Sequence, residues 1–339
     1  MRIVFKIFKS MRTIILMFLL ISGAALGQTA SQNNTYPPPG RMVDIGGRRL
    51  HILCLGKGSP TIVLVAGGGA FAIDWTLVQS RIDSNTRVCS YDRAGLGWSD
   101  NGPHEETVEE EVSDLHKLLK ASGEKGPYIL VGASIGGIYI QAYQRAYPNE
   151  VAALVFTNSS NHIGFPAKTH TGLIWDLTED DIRATYPFAP SKEKRQPVTR
   201  ADDPFNKLPH PQQDMWIWLE EKLMQKWDTA KSTPESTLSW RKEFLREFDQ
   251  SDAMKGRYPL GKLPVIVVSS DPKANDSLRY SRDGAAARLD FLSSNTIHII
   301  APDSGHEIHL YQPDKVIEAL RIAITAVRKQ IPLSGISIR

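Results

Sequence analysis

An α/β fold, a mostly parallel sheet covered by helices on both faces, is what this sequence predicts. Three observations carry that expectation. Short runs such as Thr61-Ile-Val-Leu-Val65 and Tyr128-Ile-Leu-Val131 are apolar with almost no alternation, as strands buried on both faces must be. Stretches of helical period separate them: Val108, Val112, Leu115, Leu118 and Leu119 fall on one face, with Glu and Lys opposite. The segment Gly132-Ala133-Ser134-Ile135-Gly136 joins one such strand to one such helix, and this G-x-S-x-G pattern acquires meaning only in that setting.

The chain of 339 residues has room for one large α/β domain with an insertion, or for two modest domains. Its 41% hydrophobic and 23% charged residues exclude a disordered or fibrous chain. The formal charge is +3, but Arg2, Lys6, Lys9 and Arg12 precede Gly27 with no acidic residue among them, and without those four the charge is −1. The basic balance therefore belongs to the leader, and no nucleic-acid footprint is left.

That leader (residues 1–27) reads as a secretory signal peptide: a positive region, the apolar core Thr13–Ser22, then Ala25-Leu26-Gly27 with small residues ahead of a cut before Gln28. The competing reading, an uncleaved anchor, is opposed by Lys6 and Lys9, which leave the unbroken apolar run short for a span. Export to the periplasm or medium, with no stable span after cleavage, is the expectation. Cys54 and Cys89 are then a candidate disulfide in an oxidising compartment, the alternative being two buried thiols.

Taken in order, Gln28–Pro39 is a polar lead-in, and Val43–Leu55 reads as two strands around a Gly46-Gly47 turn. Thr61–Val65 is a buried strand, followed by Gly67-Gly68-Gly69 and a short helix through Trp75 and Val78. Thr86–Tyr91 is the next strand, and Asp92-Arg-Ala-Gly-Leu-Gly-Trp-Ser-Asp100 a glycine-rich loop in which Asp92 and Arg93 are expected to anchor the loop. The helix from Val108 ends at Gly123. After the strand Tyr128–Val131 comes a turn so sharp that its middle residue, Ser134, is expected to be strained, with Gly132 and Gly136 letting strand and helix pass closely. Pro148 stops the following helix, and Val151–Thr157 is a strand. Alternation then breaks. Residues 161–262 read as helices and proline-rich loops inserted between two core segments, 28–160 and 263–339, and hold five of the seven Trp. Strands at Leu263–Val268 and Thr296–Ile300 and an amphipathic helix through Val316, Leu320, Ala323, Ile324 and Val327 close the chain. In a parallel sheet the loops at the carboxyl ends of the strands converge, and ligands bind there.

Ala66-Gly67-Gly68-Gly69, Tyr91-Asp-Arg-Ala-Gly-Leu-Gly-Trp-Ser99, Gly132-Ala-Ser-Ile-Gly136 and Ser304-Gly305-His306 together make the chain resemble the α/β-hydrolases, from about Val43 to Val327. The resemblance implies an eight-stranded sheet with only its second strand antiparallel and a helical cap after the sixth. It assigns Ser134 as nucleophile, His306 as general base, and the amides of Gly68 and Ile135 as the oxyanion hole. The acid is Asp271, at the end of the seventh strand, or Asp276 in the loop beyond; Asn158, after the sixth strand, cannot replace it. His309 is the weaker base candidate, and His298, inside a strand, is expected to pack or to face a helix. Neighbouring second and fourth strands would place Cys54 beside Cys89, within the usual Cα separation of about 4.4–6.8 Å.

The expected activity is hydrolysis of a small-molecule carboxylic ester, with the Trp-rich insertion suggesting an apolar moiety. No cofactor or metal is implied, since the His residues form no ligand cluster. An aminopeptidase similar to the prolyl iminopeptidases, with Glu220 and Glu221 for a free amine, or a lactonase or thioesterase, would use the same three residues. A non-catalytic binder on the same fold is the alternative from another class.

Overall fold

Strands β1 (Arg41–Asp44) and β2 (Arg49–Leu55) make the expected hairpin. Gly46 and Gly47 stand at φ 103° and 92°, and the Asp44 carboxylate accepts both of their N–H groups at 2.8 and 3.1 Å. The structure, a computed structural model, describes residues 35–82, 84, 86–102, 107–159, 167–169, 172–174, 198–229, 258–271 and 292–336. The leader 1–27, Asp276, Trp175 and Trp240 lie outside them, and all the elements below belong to one unit, Pro38–Arg339.

β3 (Thr61–Val65), β4 (Arg87–Tyr91), β5 (Tyr128–Ala133), β6 (Val151–Thr157), β9 (Val265–Asp271) and β10 (Thr296–Pro302) complete an eight-stranded sheet of order β1-β2-β4-β3-β5-β6-β9-β10. β2 runs antiparallel to both neighbours, and every other pair is parallel. β9 and β10 run further than expected, because their ladder continues through Ser270↔Ala301 and Asp271↔Pro302. A separate two-stranded ribbon, β7 (Ala167–Thr169) with β8 (Gly172–Ile174), stands in the insertion, where only helices and loops were expected.

The strands bury both faces, and alternate residues serve different layers. Ile62, Leu64, Ile129, Val131, Val155, Ile266 and Val268 pack with Val78 of α1 (Thr76–Gln79) and with Val316, Leu320 and Ala323 of α6 (Pro313–Lys329). Val63, Val65, Leu130, Leu154, Phe156 and Val267 face the other way, onto Val112, Leu115 and Leu119 of α2 (Val108–Ala121) and Ile138 and Ile140 of α3 (Gly136–Ala146). Thr107 starts α2 with a capping box to Glu110, and Gly123 at φ 75° follows its end. His298 departs from expectation. It is exposed, because β10 is the edge strand and buries only Ile299 and Ala301 on the face toward α6.

Cys54 and Cys89 face each other in the β2–β4 register and are joined by a disulfide. Their Cα atoms are 4.0 Å apart, closer than expected, because the two residues are directly opposed on adjacent antiparallel strands.

A third apolar cluster forms beyond the carboxyl ends of the strands. Trp216, Leu219 and Leu223 of α4 (His210–Thr229) pack with Leu208, with Phe71 and Ile73 after β3, Leu96 after β4, and Leu310 in α5 (Ile308–Tyr311). Among the described residues no helix is long and apolar enough to cross a membrane.

Candidate active site

Ser134 occupies the turn between β5 and α3 at φ 52°, a conformation that costs a non-glycine residue free energy. The turn closes because the flanking residues lack side chains. A Cβ on Gly132 would lie 2.5 Å from the Gly136 carbonyl carbon, and one on Gly136 would lie 2.5 Å from the Val65 oxygen. Both glycines are therefore steric requirements of the strand–turn–helix junction.

The glycine loop after β3 runs alongside. A Cβ on Gly67 would meet the Ser134 Cβ at 3.4 Å, and one on Gly68 would meet Ile135 Cγ2 at 3.8 Å. The two residues expected to supply the oxyanion amides are thus neighbours next to the serine. Arg93, buried, fixes this loop by donating to the Ala66 and Gly67 carbonyls at 2.7 and 2.9 Å. Asp92, fully buried, accepts the Ala72 N–H at 2.7 Å, the Trp98 N–H at 3.2 Å and Nδ1 of His51 at 2.7 Å. Gly40 N–H donates to Nε2 of the same ring at 3.2 Å, which puts the ring proton on Nδ1. Any side chain at Gly97, itself at φ 53°, would collide with the Asp92 carboxylate. Asp92 and Arg93 are loop anchors, as expected, and His51 is a partner that its place on a strand did not reveal.

His306 is exposed in the turn between β10 and α5. The last residue of β6 and the one that follows it tie this turn to the serine. The Ser134 N–H donates to the Thr157 carbonyl at 3.2 Å, and the Asn158 side chain donates to the His306 carbonyl at 3.0 Å. Asp271 ends β9 in register with Pro302, which ends β10, so its backbone lies at the same edge; Asp276 falls outside the described residues. His309 lies in α5, buried and stacked on Trp75 at 4.5 Å. Burial, with a contribution from His306, pushes its imidazole down to about 3, so it stays neutral near pH 7.

Asp74 is the buried acid that sequence reasoning missed. It accepts the Phe71 N–H at 3.2 Å through Oδ2, while the Trp216 indole approaches the carboxyl without closing a bond: Asp74 Oδ1, Trp216 Nε1, Trp75 Nε1 and His309 Nδ1 all lack partners. Burial pushes the Asp74 carboxyl up to about 8, and the charges of Asp92 and Glu307 push the same way. Only the hydrophobic spacing of Phe71, Ile73 and Trp75 is visible in the sequence, and it conceals the aspartate between them.

Among the described residues, Cys54, Cys89 and Glu124 form a grouping of metal-ligand types, but the disulfide removes both thiolates and Arg87 holds Glu124 at 2.8 Å.

A sequence model of the alpha/beta hydrolase family matches residues 62–319. The chain is 25% identical to the uncharacterized protein YbdG of Bacillus subtilis over 292 residues, 82% of this chain and 83% of that one. It spans 19%, 26% and 33% of three further curated relatives. Among solved structures it resembles a bromoperoxidase from Bacillus anthracis (TM-score 0.57, 17% identity, 84% of this chain and 99% of that one). It also resembles the esterase EaEST from Exiguobacterium antarcticum (TM-score 0.54, 19% identity, 85% and 99%). At these identities the two structures speak for the fold alone.

Proposed function

Since the chain belongs to the alpha/beta hydrolase family, we propose that it is an exported serine hydrolase of carboxylic esters acting through Ser134, His306 and Asp271. The observation that carries the reading is Ser134 at φ 52° in a glycine-flanked turn, with Gly67 and Gly68 alongside. In this reading Ser134 Oγ attacks the ester carbonyl and its proton passes to the neutral His306 ring. Asp271 holds the imidazole tautomer and stabilises the cation. The amides of Gly68 and Ile135 take the developing oxyanion. Protonated His306 then returns the proton to the departing alcohol, leaving an acyl group on Ser134. Water, activated by His306, releases the carboxylic acid and restores the hydroxyl. Residues 161–262 form the cap, and the apolar cluster around Trp216 and Phe71 suits an ester with an apolar moiety. The Cys54–Cys89 bond supports an oxidising destination.

A fluorophosphonate probe tests the nucleophile: it is expected to label Ser134 in wild type and to leave Ser134→Ala unlabelled. Folded wild type that ignores the probe would favour a non-catalytic binder. Turnover of p-nitrophenyl esters but not of prolyl-aminocoumarin separates the esterase from the aminopeptidase reading. N-terminal sequencing of exported protein is expected to begin at Gln28.

A further inference from the structure

The acid and the base expected in this site stand on two different strand ends, and one side chain bonds to both of those segments. Asn158 follows β6 at φ 42° and is buried. Its Oδ1 accepts the Ser270 N–H at 2.9 Å and the Ser270 hydroxyl at 3.1 Å. Its Nδ2 donates to Ser270 Oγ at 2.8 Å, to the Gly305 carbonyl at 3.3 Å and to the His306 carbonyl at 3.0 Å. An amide has two N–H donors and one oxygen with two lone pairs. The serine takes one donor and both lone pairs, and the two carbonyls share the other donor, so the group is fully used. The Asn158 N–H meanwhile donates to Val268 of β9 at 2.9 Å, and Thr157, one residue before, holds the Ser134 N–H.

We propose that Asn158 is the positioning residue that fixes the His306 turn and the Ser270–Asp271 strand end against the serine turn. The proposal rests on the Ser134–Asp271–His306 reading given above. No other amino acid reproduces the pattern at this reach. Aspartate keeps the acceptor for Ser270 but loses the donor to His306, leucine loses both, and glutamine is one carbon too long for a site enclosed by Ser270 and Gly305. Gly305 makes the packing tight as well, since a Cβ there would lie 2.3 Å from the Tyr311 ring. The His306 turn is therefore held by both a close tyrosine ring and the Asn158 amide.

The experiment measures both the rate constant and the final extent of fluorophosphonate labelling in wild type, Asn158→Ala and Asn158→Asp, with kcat and KM for a p-nitrophenyl ester. Positioning predicts complete labelling in all three, a labelling rate and kcat lower by about 100-fold in both variants, and a nearly unchanged KM. A merely structural role predicts instead a reduced labelled fraction at an unchanged rate constant, and that result overturns the proposal. So does wild-type speed in both variants. Should neither variant fold, Ser270→Ala, which keeps the backbone bond to Oδ1 and removes only the hydroxyl, is expected to slow labelling by about 10-fold at full extent; wild-type speed there overturns the proposal equally. A wild type that does not react with the probe fails earlier and brings down the hydrolase reading itself.

Discussion

The residues around Asn158 and those around Asp74 are both buried polar groups at the carboxyl edge of one sheet, and they are built in opposite ways. In the first, the Thr157 hydroxyl donates to the Gly132 carbonyl at 3.4 Å, Ser159 to the same carbonyl at 2.6 Å, and Asn158 uses its whole amide. In the second, Asp74, Trp75, Trp216 and His309 each leave a buried polar atom without a partner. Satisfied polar groups hold backbone in one geometry, whereas unsatisfied ones carry a desolvation cost that makes stability depend on protonation. Hydrogen bonding thus holds the first site in one geometry, while buried titratable groups make the second sensitive to pH.

The sharpest break in that comparison is Ser134→Ala. Turnover of a p-nitrophenyl ester is expected to fall by about 10⁵-fold with the fold intact by circular dichroism. Activity equal to wild type would detach the satisfied cluster from any catalytic purpose.

Next in size is a control placed at neither cluster. Replacing Cys54 and Cys89 with serine opens a link between residues 35 apart and is expected to cost about 3–4 kcal/mol in urea unfolding. A loss near zero would mean that the far end of the sheet is held by its ladder alone.

The Asp74 cluster is tested by pH. The carboxyl stays protonated in the folded chain up to about pH 8 but ionises near 3.8 when unfolded. Folding takes up a proton in between, so this group's contribution to stability is full below 3.8 and is lost as pH rises through about 8. His309 has the opposite sign: its contribution is present above 6.5 and is lost as pH falls toward about 3. Between pH 6.5 and 8 only Asp74 of this pair acts. Wild type is expected to lose about 2 kcal/mol across that interval relative to Asp74→Asn, measured by denaturant titration. Parallel curves would show that the carboxyl is already ionised below pH 6.5 in the folded chain.

The smallest effect concerns the turn itself. Ser134→Gly is expected to be about 1 kcal/mol more stable than Ser134→Ala, since φ 52° strains alanine and not glycine. Equal melting temperatures would say that the turn stores no strain.

These two clusters also mark how far the sequence could be read. The serine turn was legible because two glycines and a serine within five residues sit between an apolar strand run and a helical run, and that combination is readable locally. The strands and most helices followed from apolar period, and the hairpin from its paired glycines. Asn158 was seen only as an acid that is missing. Its partners lie 112, 147 and 148 residues away, and no local pattern encodes a bond over that distance. Asp74 was hidden for the opposite reason, because its apolar neighbours explain the helix without it. His298 was misjudged because the edge of a sheet is a property of strand order, which period alone does not give.

The bridge between β2 and β4 has a consequence for how the chain assembles. Cys54 meets Cys89 only when Ile52 meets Tyr91 and Leu53 meets Ser90; a slip of one place would turn one sulfur to the opposite face. Within the folded sheet the covalent link therefore fits this alignment and not one shifted by a single place. Once formed, the link ties two strands that are not consecutive along the chain, so a chain that carries it refolds with this pairing already favoured.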